Sequence, residues 1–291
     1  MHSRTFAKGH GTENDFVLLV DRDAREPLTD DQVRWICDRR AGIGADGILR
    51  AVAGRHLPEW TGDPDVWFMD YRNADGSIAE MCGNGVRVFV RHLVDEGLVD
   101  GPTVPVGTRA GLRTTEVLTD GRIRVAMGPA LVATDEVRVL TADRQEFAAV
   151  PVDVGNPHAV SFCADPAAID LREAPTWQPD AAFPHGVNAE FVSALGPRHL
   201  AMRVYERGSG ETRSCGTGTV AAAAAWHHRH HPGRPAADLA PDGGVRYRVD
   251  VPGGTVEVEL GEQTFLTGPA IIVARGQLTI PEALAAPAAV A

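Results

Sequence analysis

The sequence predicts a mixed α/β (α+β) chain of two pseudo-symmetric, strand-rich halves, each with one principal helix. Three observations lead there. First, landmarks recur in the same order. Tyr71-Arg-Asn-Ala-Asp-Gly-Ser77 runs on to Met81-Cys-Gly-Asn-Gly85, and Tyr205-Glu-Arg-Gly-Ser-Gly-Glu211 runs on to Ser214-Cys-Gly-Thr-Gly218, with the cysteines 133 residues apart (82 to 215). Gly11-Thr-Glu-Asn14 and Gly155-Asn-Pro-His158 each precede an apolar run. Met127-Gly-Pro-Ala130 and Thr267-Gly-Pro-Ala270 close the two halves. Matched landmarks at similar offsets indicate internal duplication, and one repeat of this length gives two domains rather than a solenoid. Second, Arg122–Ala126 and Thr255–Leu260 alternate apolar and polar residues, as half-buried strands do. Third, each cysteine motif opens a helix.

In chain order, the apolar run Phe16–Val20 follows Asn14. A helix is predicted over 85–96, with Val86, Phe89, Val90, Leu93 and Val94 on one face and Gly97 at its end. A second is predicted over 218–228. Its core, Val220-Ala-Ala-Ala-Ala-Ala225, is small and apolar all round, which marks a helix enclosed on every side. A long loop is expected from His231 to Gly244, and a poorly ordered Ala/Pro-rich tail from Glu282. The repeat assigns 1–130 to the first half, 131–267 to the second and 281–291 to the tail.

Composition narrows the function classes. The 291 residues are 44% apolar and 23% charged, with a net charge of −11. Disordered, collagenous and disulfide-scaffold chains are excluded. The acidic balance and the lack of a basic stripe oppose nucleic-acid binding. No apolar signal region or spanning run is visible, so the expected compartment is the cytoplasm, with reduced thiols. Of the 28 basic residues only Lys8 is lysine, which leaves Schiff-base chemistry a single candidate. Cys37, Cys82, Cys163 and Cys215 include no C-x-x-C pair, which opposes a zinc knuckle or thioredoxin-type site.

Cys-Gly-Asn-Gly and Cys-Gly-Thr-Gly place a thiol in a tight turn feeding a helix N-terminus. First-turn N–H groups and the helix dipole can hold a carboxylate there. The same field is expected to lower a thiol pKa toward neutrality. Two such motifs facing each other across a cleft could remove a proton from one face of a carbon and return one to the other. That is racemisation or epimerisation by matched acid and base, with no pyridoxal phosphate.

These stretches resemble the diaminopimelate epimerases, cofactor-independent enzymes of lysine synthesis. The likeness rests on Phe6–Phe16, Gly42-Ile-Gly-Ala-Asp46, Asn73–Ser77 with Met81–Gly85, Gly155–His158, Asn188-Ala-Glu-Phe-Val192, and Tyr205–Thr212 with Ser214–Gly218. They run in family order over nearly the whole chain. The resemblance implies two halves, each a mostly antiparallel, barrel-like sheet around a central helix, with the site in the cleft between them. It also implies a last strand, about 268–280, returning to the first half.

By motif, the resemblance makes Cys82 and Cys215 the acid/base pair, with Glu206 and His158 beside the thiols. Gly83, Asn84, Gly216 and Thr217 would bind the reacting carboxylate. Asn14, Asn73, Asn156, Asn188 and Arg207 would bind the substrate's polar ends, Arg207 taking the distant carboxylate. No cofactor or metal is implied; many members are homodimers. This chain departs from the common pattern at Gly47, where Gln is usual, and at Gly9, Thr12 and Glu13.

Plainer roles fit other residues. Cys37 and Cys163 read as small buried hydrophobes. His227, His228, His230 and His231 read as a solvated helix end, with metal ligation as the alternative. Asp75 and Glu80 form a carboxylate pair only by proximity. Competing functions are a related racemase of histidine, proline or hydroxyproline, a PhzF-like isomerase (a type without the paired cysteines), and a redox sensor closing a Cys82–Cys215 disulfide.

Overall fold

A computed structural model describes residues 2–234 and 244–284. Most of the expected loop over 231–244 and of the tail lies outside the described residues. The chain forms two compact units, Met1–Ile123 with Pro269–Ala291, and Arg124–Gly268. The first division thus falls at 123/124, seven residues ahead of the position read from the repeat, because Ile123 ends one unit inside a strand.

In the first unit, β1 (His2–Gly11) and β2 (Asn14–Val20) form a hairpin. Its two-residue turn, Thr12-Glu13, has φ of +50° and +61°. Such turns match strand twist but strain non-glycine residues. β3 (Gly47–Ala53) pairs parallel to β2, and β4 (Trp67–Asn73) antiparallel to β3. β5 (Thr103–Thr108) runs parallel to β4, and β6 (Gly111–Val117) antiparallel to β5. The returning strand, β19 (Ile271–Ile280), pairs antiparallel with β1, from His2↔Ile280 to His10↔Ile271.

The second unit runs from the second residue of β7 (Ile123–Gly128) to β18 (Thr264–Gly268) and repeats that grammar. β10 (Glu146–Asp153) and β11 (Pro157–Phe162) are antiparallel; β13 (Asn188–Gly196) is parallel to β11. β14 (His199–Glu206) is antiparallel to β13, β16 (Val245–Val251) parallel to β14, and β17 (Gly254–Leu260) antiparallel to β16. Antiparallel, parallel, antiparallel, parallel, antiparallel: the order of pairings is the same in both units. That is the architectural counterpart of the sequence repeat.

Each sheet wraps one helix. α2 (Gly83–Asp95) packs on β1, β2, β3, β5 and β19. Val86, Val88, Phe89, Val90 and Leu93 are fully buried, and so is Arg87. Burial extends beyond the single apolar face read from the sequence, because sheet surrounds the helix. Each large apolar side chain contributes about 2 kcal/mol. α3 (Gly216–His230) is enclosed by β10, β11, β13, β14, β16, β17, β18 and the short β8 (Leu131–Val132). Its Ala221–Ala225 run is buried, as its small side chains require. Both helices begin two residues before the expected start, since the cysteine itself is the N-cap.

A third helix, α1 (Asp30–Cys37), lies outside the expectations above. Its start is nevertheless written in Thr29-Asp-Asp-Gln32, a reciprocal capping box. Among the described residues no helix is long and apolar enough to cross a membrane.

Candidate active site

Each unit assembles its own set of site residues at the start of its enclosed helix. In the first, Cys82 caps α2 in an extended conformation, and its Sγ accepts the Gly85 N–H at 3.4 Å. Asn14, the first residue of β2, brings its Oδ1 to 3.6 Å from Cys82 Sγ and 3.2 Å from Asn84 Nδ2. Asn14 is held in turn by Asp46, which accepts from its Nδ2 at 2.8 Å. Asn84 is fixed from below by Arg87, which also donates to the Pro269 carbonyl at 2.9 Å and to Thr12 Oγ1 at 3.3 Å. Asn73 stands apart, at the end of β4, its amide donating to Ser77 Oγ at 3.0 Å. Gly83 is buried in the first turn of α2.

In the second unit Cys215 caps α3 in the same way, its Sγ accepting the Gly218 N–H at 3.4 Å. Thr217 Oγ1 lies 3.5 Å from that sulfur and accepts from Asn156 Nδ2 at 3.3 Å. Asn156 Oδ1 meets His158 Nε2 at 3.0 Å. The other ring nitrogen, Nδ1, is 2.6 Å from Glu190 Oε1, and both side chains are wholly buried. Glu206, at the end of β14, accepts from the Thr212 hydroxyl, and its carboxyl faces Cys215. Asn188 Oδ1 accepts the Arg207 backbone N–H at 2.9 Å. The Arg207 guanidinium is exposed and makes one long bond, 3.4 Å, to the His185 carbonyl. Gly216 is buried at the first position of α3.

The electrostatics of the two thiols differ. The sequence leads one to expect helix dipoles to lower both thiol pKa values. Cys215 goes the other way: burial pushes it well above the ordinary thiol value, and the carboxyls of Glu206 and Glu190 add to the rise. Removal from water and two facing carboxyls outweigh one helix end. Burial likewise pushes Glu206 and Glu190 above the usual carboxyl range. Beside Cys82 stands a cation instead. Burial lowers Arg87, while the charge of Cys82 acts on it in the opposite sense.

The plainer readings resolve residue by residue. Burial raises Cys37 to about 12 and also raises Cys163, so neither is a reactive thiol. Lys8 is a brace: it pairs with Asp15 at 2.5 Å and donates to the Gly44 carbonyl. Asp75 spends its carboxylate on the Ser77 N–H and hydroxyl at 2.8 and 2.6 Å. His227 is bonded to Tyr247 and the Arg234 carbonyl, and His230 to the Trp226 carbonyl. Among the described residues no group of three or more His, Cys, Asp or Glu is arranged to hold a metal ion. Glu190 and Arg87 were the residues that motif reading missed. Glu190 lies inside a matched stretch, but nothing in the sequence says that it points inward.

The diaminopimelate epimerase family model matches residues 6–132 and 150–273. The chain belongs to the diaminopimelate epimerase family. It is 50% identical to the diaminopimelate epimerase of Streptomyces coelicolor over 277 residues, covering 94% of each chain. It is 49% identical to that of Corynebacterium glutamicum, covering 94% of this chain and 98% of the relative. Among solved structures, a hydroxyproline epimerase from Agrobacterium vitis matches with TM-score 0.66 at 16% identity, over 95% of this chain and 92% of that one. A PhzF-family protein of Bacillus anthracis matches with TM-score 0.67 at 15% identity, over 96% and 100%. At such identities these two share the fold.

Membership makes the chain an isomerase of the epimerase type and gives its one departure in β3 a physical meaning. A Cβ at Gly47 would stand 2.5 Å from the Arg72 carbonyl oxygen and 2.7 Å from the Tyr71 ring. No side chain fits this backbone without a shift, so the Gln that the resemblance leads one to expect has no room here.

Proposed function

We propose that this protein interconverts LL- and meso-diaminopimelate by a two-base mechanism, a step in the synthesis of lysine and peptidoglycan precursors. The carrying observation is the repetition of one geometry: two cysteines, each capping an enclosed helix with Sγ on the third N–H at 3.4 Å. A thiolate on one face of the α-carbon takes its proton and becomes a thiol. The thiol on the other face gives up its proton, becomes the thiolate, and the configuration inverts. No net proton is gained or lost.

The carbanion-like transition state places charge on the α-carboxylate, where first-turn N–H groups of Gly83, Asn84, Gly216 and Thr217 stabilise it. Asn14, Asn73, Asn156 and Asn188 offer neutral amides to a substrate that is zwitterionic at both ends, and Arg207 offers its exposed guanidinium to the distal carboxylate. The carboxyls around Cys215 favour a resting thiol there, which leaves Cys82, beside the Arg87 cation, as the proposed resting thiolate. The small-molecule substrate needs no nucleic acid or membrane, and the proposed assembly is a homodimer in the cytoplasm.

The test is incubation of the reduced protein with LL-diaminopimelate in deuterated water, followed by NMR. α-Deuteration with meso product, lost in Cys82→Ala and in Cys215→Ala, is expected. Exchange of proline, hydroxyproline or histidine instead would reassign the substrate. Silence with every amino acid, together with a reversible Cys82–Cys215 disulfide, would replace the enzyme by a redox sensor.

A further inference from the structure

Glu190 sits on β13 and belongs to no motif role assigned above. Its side chain is 0% exposed, yet it is a carboxyl. A buried carboxyl is costly unless something holds it. One oxygen is held by His158 Nδ1 at 2.6 Å. The other, Oε2, has no hydrogen-bond partner among the described residues.

The arrangement continues outward in one line. His158 Nε2 meets Asn156 Oδ1 at 3.0 Å, Asn156 Nδ2 donates to Thr217 Oγ1 at 3.3 Å, and Thr217 Oγ1 lies 3.5 Å from Cys215 Sγ. Both ring nitrogens of His158 face acceptor oxygens, Glu190 Oε1 and Asn156 Oδ1, so the ring is held from both sides. Glu190 also lies against the cysteine turn directly. A Cβ at Gly218 would be 2.8 Å from Glu190 Oε1 and 3.3 Å from Cys215 Sγ.

We propose that Glu190 is a positioning residue for the reaction: it fixes the ring of His158 and, through Asn156 and Thr217, the orientation of the Cys215 thiol. The proposal rests on the two-base reading above for its kinetic consequence, but not for its structural one. The charged and titratable groups facing Cys215 are Glu206, Glu190 and, one bond further, His158. A ring free to rotate would release Asn156 and leave the thiol to sample several rotamers, only one of which points at the substrate.

The experiment compares wild type, Glu190→Gln, Glu190→Asp, His158→Gln and the Glu190→Gln/His158→Gln double variant, with two readouts. The first is steady-state epimerisation of LL-diaminopimelate. Glu190→Gln is expected to lower kcat about 10- to 100-fold with KM within about twofold. Glu190→Asp should recover part of the loss, and the double variant should be no worse than the worse single one. The second needs no substrate: NMR of the imidazole N–H signals and of cysteine labelled with 13C at Cβ. A far-downfield imidazole proton should vanish in Glu190→Gln and His158→Gln alike. Both should shift the Cys215 signal and leave that of Cys82 in place. Unchanged kcat in Glu190→Gln, multiplicative losses in the double variant, or a Cys215 signal indifferent to both changes would each overturn the proposal. Should Glu190→Gln fail to fold, His158→Gln and Glu190→Asp carry the same comparison. A wild type inactive on diaminopimelate would overturn the substrate reading, while the NMR arm still decides the role of Glu190.

Discussion

The two cysteine turns share a backbone and differ in everything that touches it. Cys82 and Cys215 cap their helices alike, with Sγ 3.4 Å from the third N–H. Five residues on, the first helix carries Arg87 and the second Val220, both fully buried. Arg87 supplies a cation and pins Asn84. On the other side Glu190, Glu206 and His158 gather around Cys215, and burial with the two carboxyls holds that thiol protonated. Duplication supplied two equal frames. Divergence of a few buried side chains set carboxyls beside one sulfur and an arginine beside the other. The two-base mechanism proposed above needs one thiolate and one thiol at rest, since two thiolates or two thiols could not start the reaction.

The comparison can be broken first at the thiols. Either Cys82→Ala or Cys215→Ala should reduce epimerisation about 10³-fold or more, with retained folding by circular dichroism. Substantial activity in one of them would mean that the halves are not complementary. Arg87 is the next lever. Arg87→Met leaves Asn84 and the Pro269 carbonyl without their donor and should cost about 3 kcal/mol, a fall in Tm of roughly 6 °C or more. Val220→Ala should disturb packing alone, so a change in its pH profile would count against the comparison.

Acid should then separate the halves. Burial pushes the Asp15 carboxyl up, but hydrogen bonds and charge from Arg39 and Lys8 outweigh it and bring it from 3.8 to about 2. Folding therefore gains about 2 kcal/mol at neutral pH, a gain lost as pH falls from about 4 toward 2. Asp15→Asn should flatten that acid limb in thermal melts. Glu190 has the opposite sign. Its raised carboxyl binds a proton more tightly in the folded chain, so its contribution is present at low pH and fades as pH rises through the native value.

The smallest effects should come from the paired glycines. Gly218→Ala drives a methyl to 2.8 Å from Glu190 and should lower kcat about tenfold. At Gly85 the nearest atoms are 3.4 Å away, so Gly85→Ala should stay within about threefold. Equal losses at both glycines would show that the carboxylate side is no more tightly built than the arginine side.

Much of this molecule is legible in its sequence. The repeat, the two capped helices, the enclosed Ala221–Ala225 run and the family follow from local pattern, because turn chemistry, helix starts and side-chain volume act over a few residues. The returning strand β19 was readable only through the family resemblance, since nothing local ties Ile271–Ile280 to His2–Gly11. The family motifs also named Asn14, Asn84, Asn156 and Glu206, which the fold brings to the two cysteine turns; Asn188 and Arg207 bond to each other instead. What tertiary structure alone decided is charge. Helix dipoles predict two activated thiols. Whether a dipole or a neighbouring carboxyl prevails depends on distance and on removal from water, and both are set by residues far apart in the chain. Glu190 is 25 residues from Cys215, in a strand whose alternation puts it inward beside His158. Arg87 lies on the inner side of a helix that sheet surrounds. The sequence by itself determined where the two thiols stand; only the packing around them determined which charged groups each one faces.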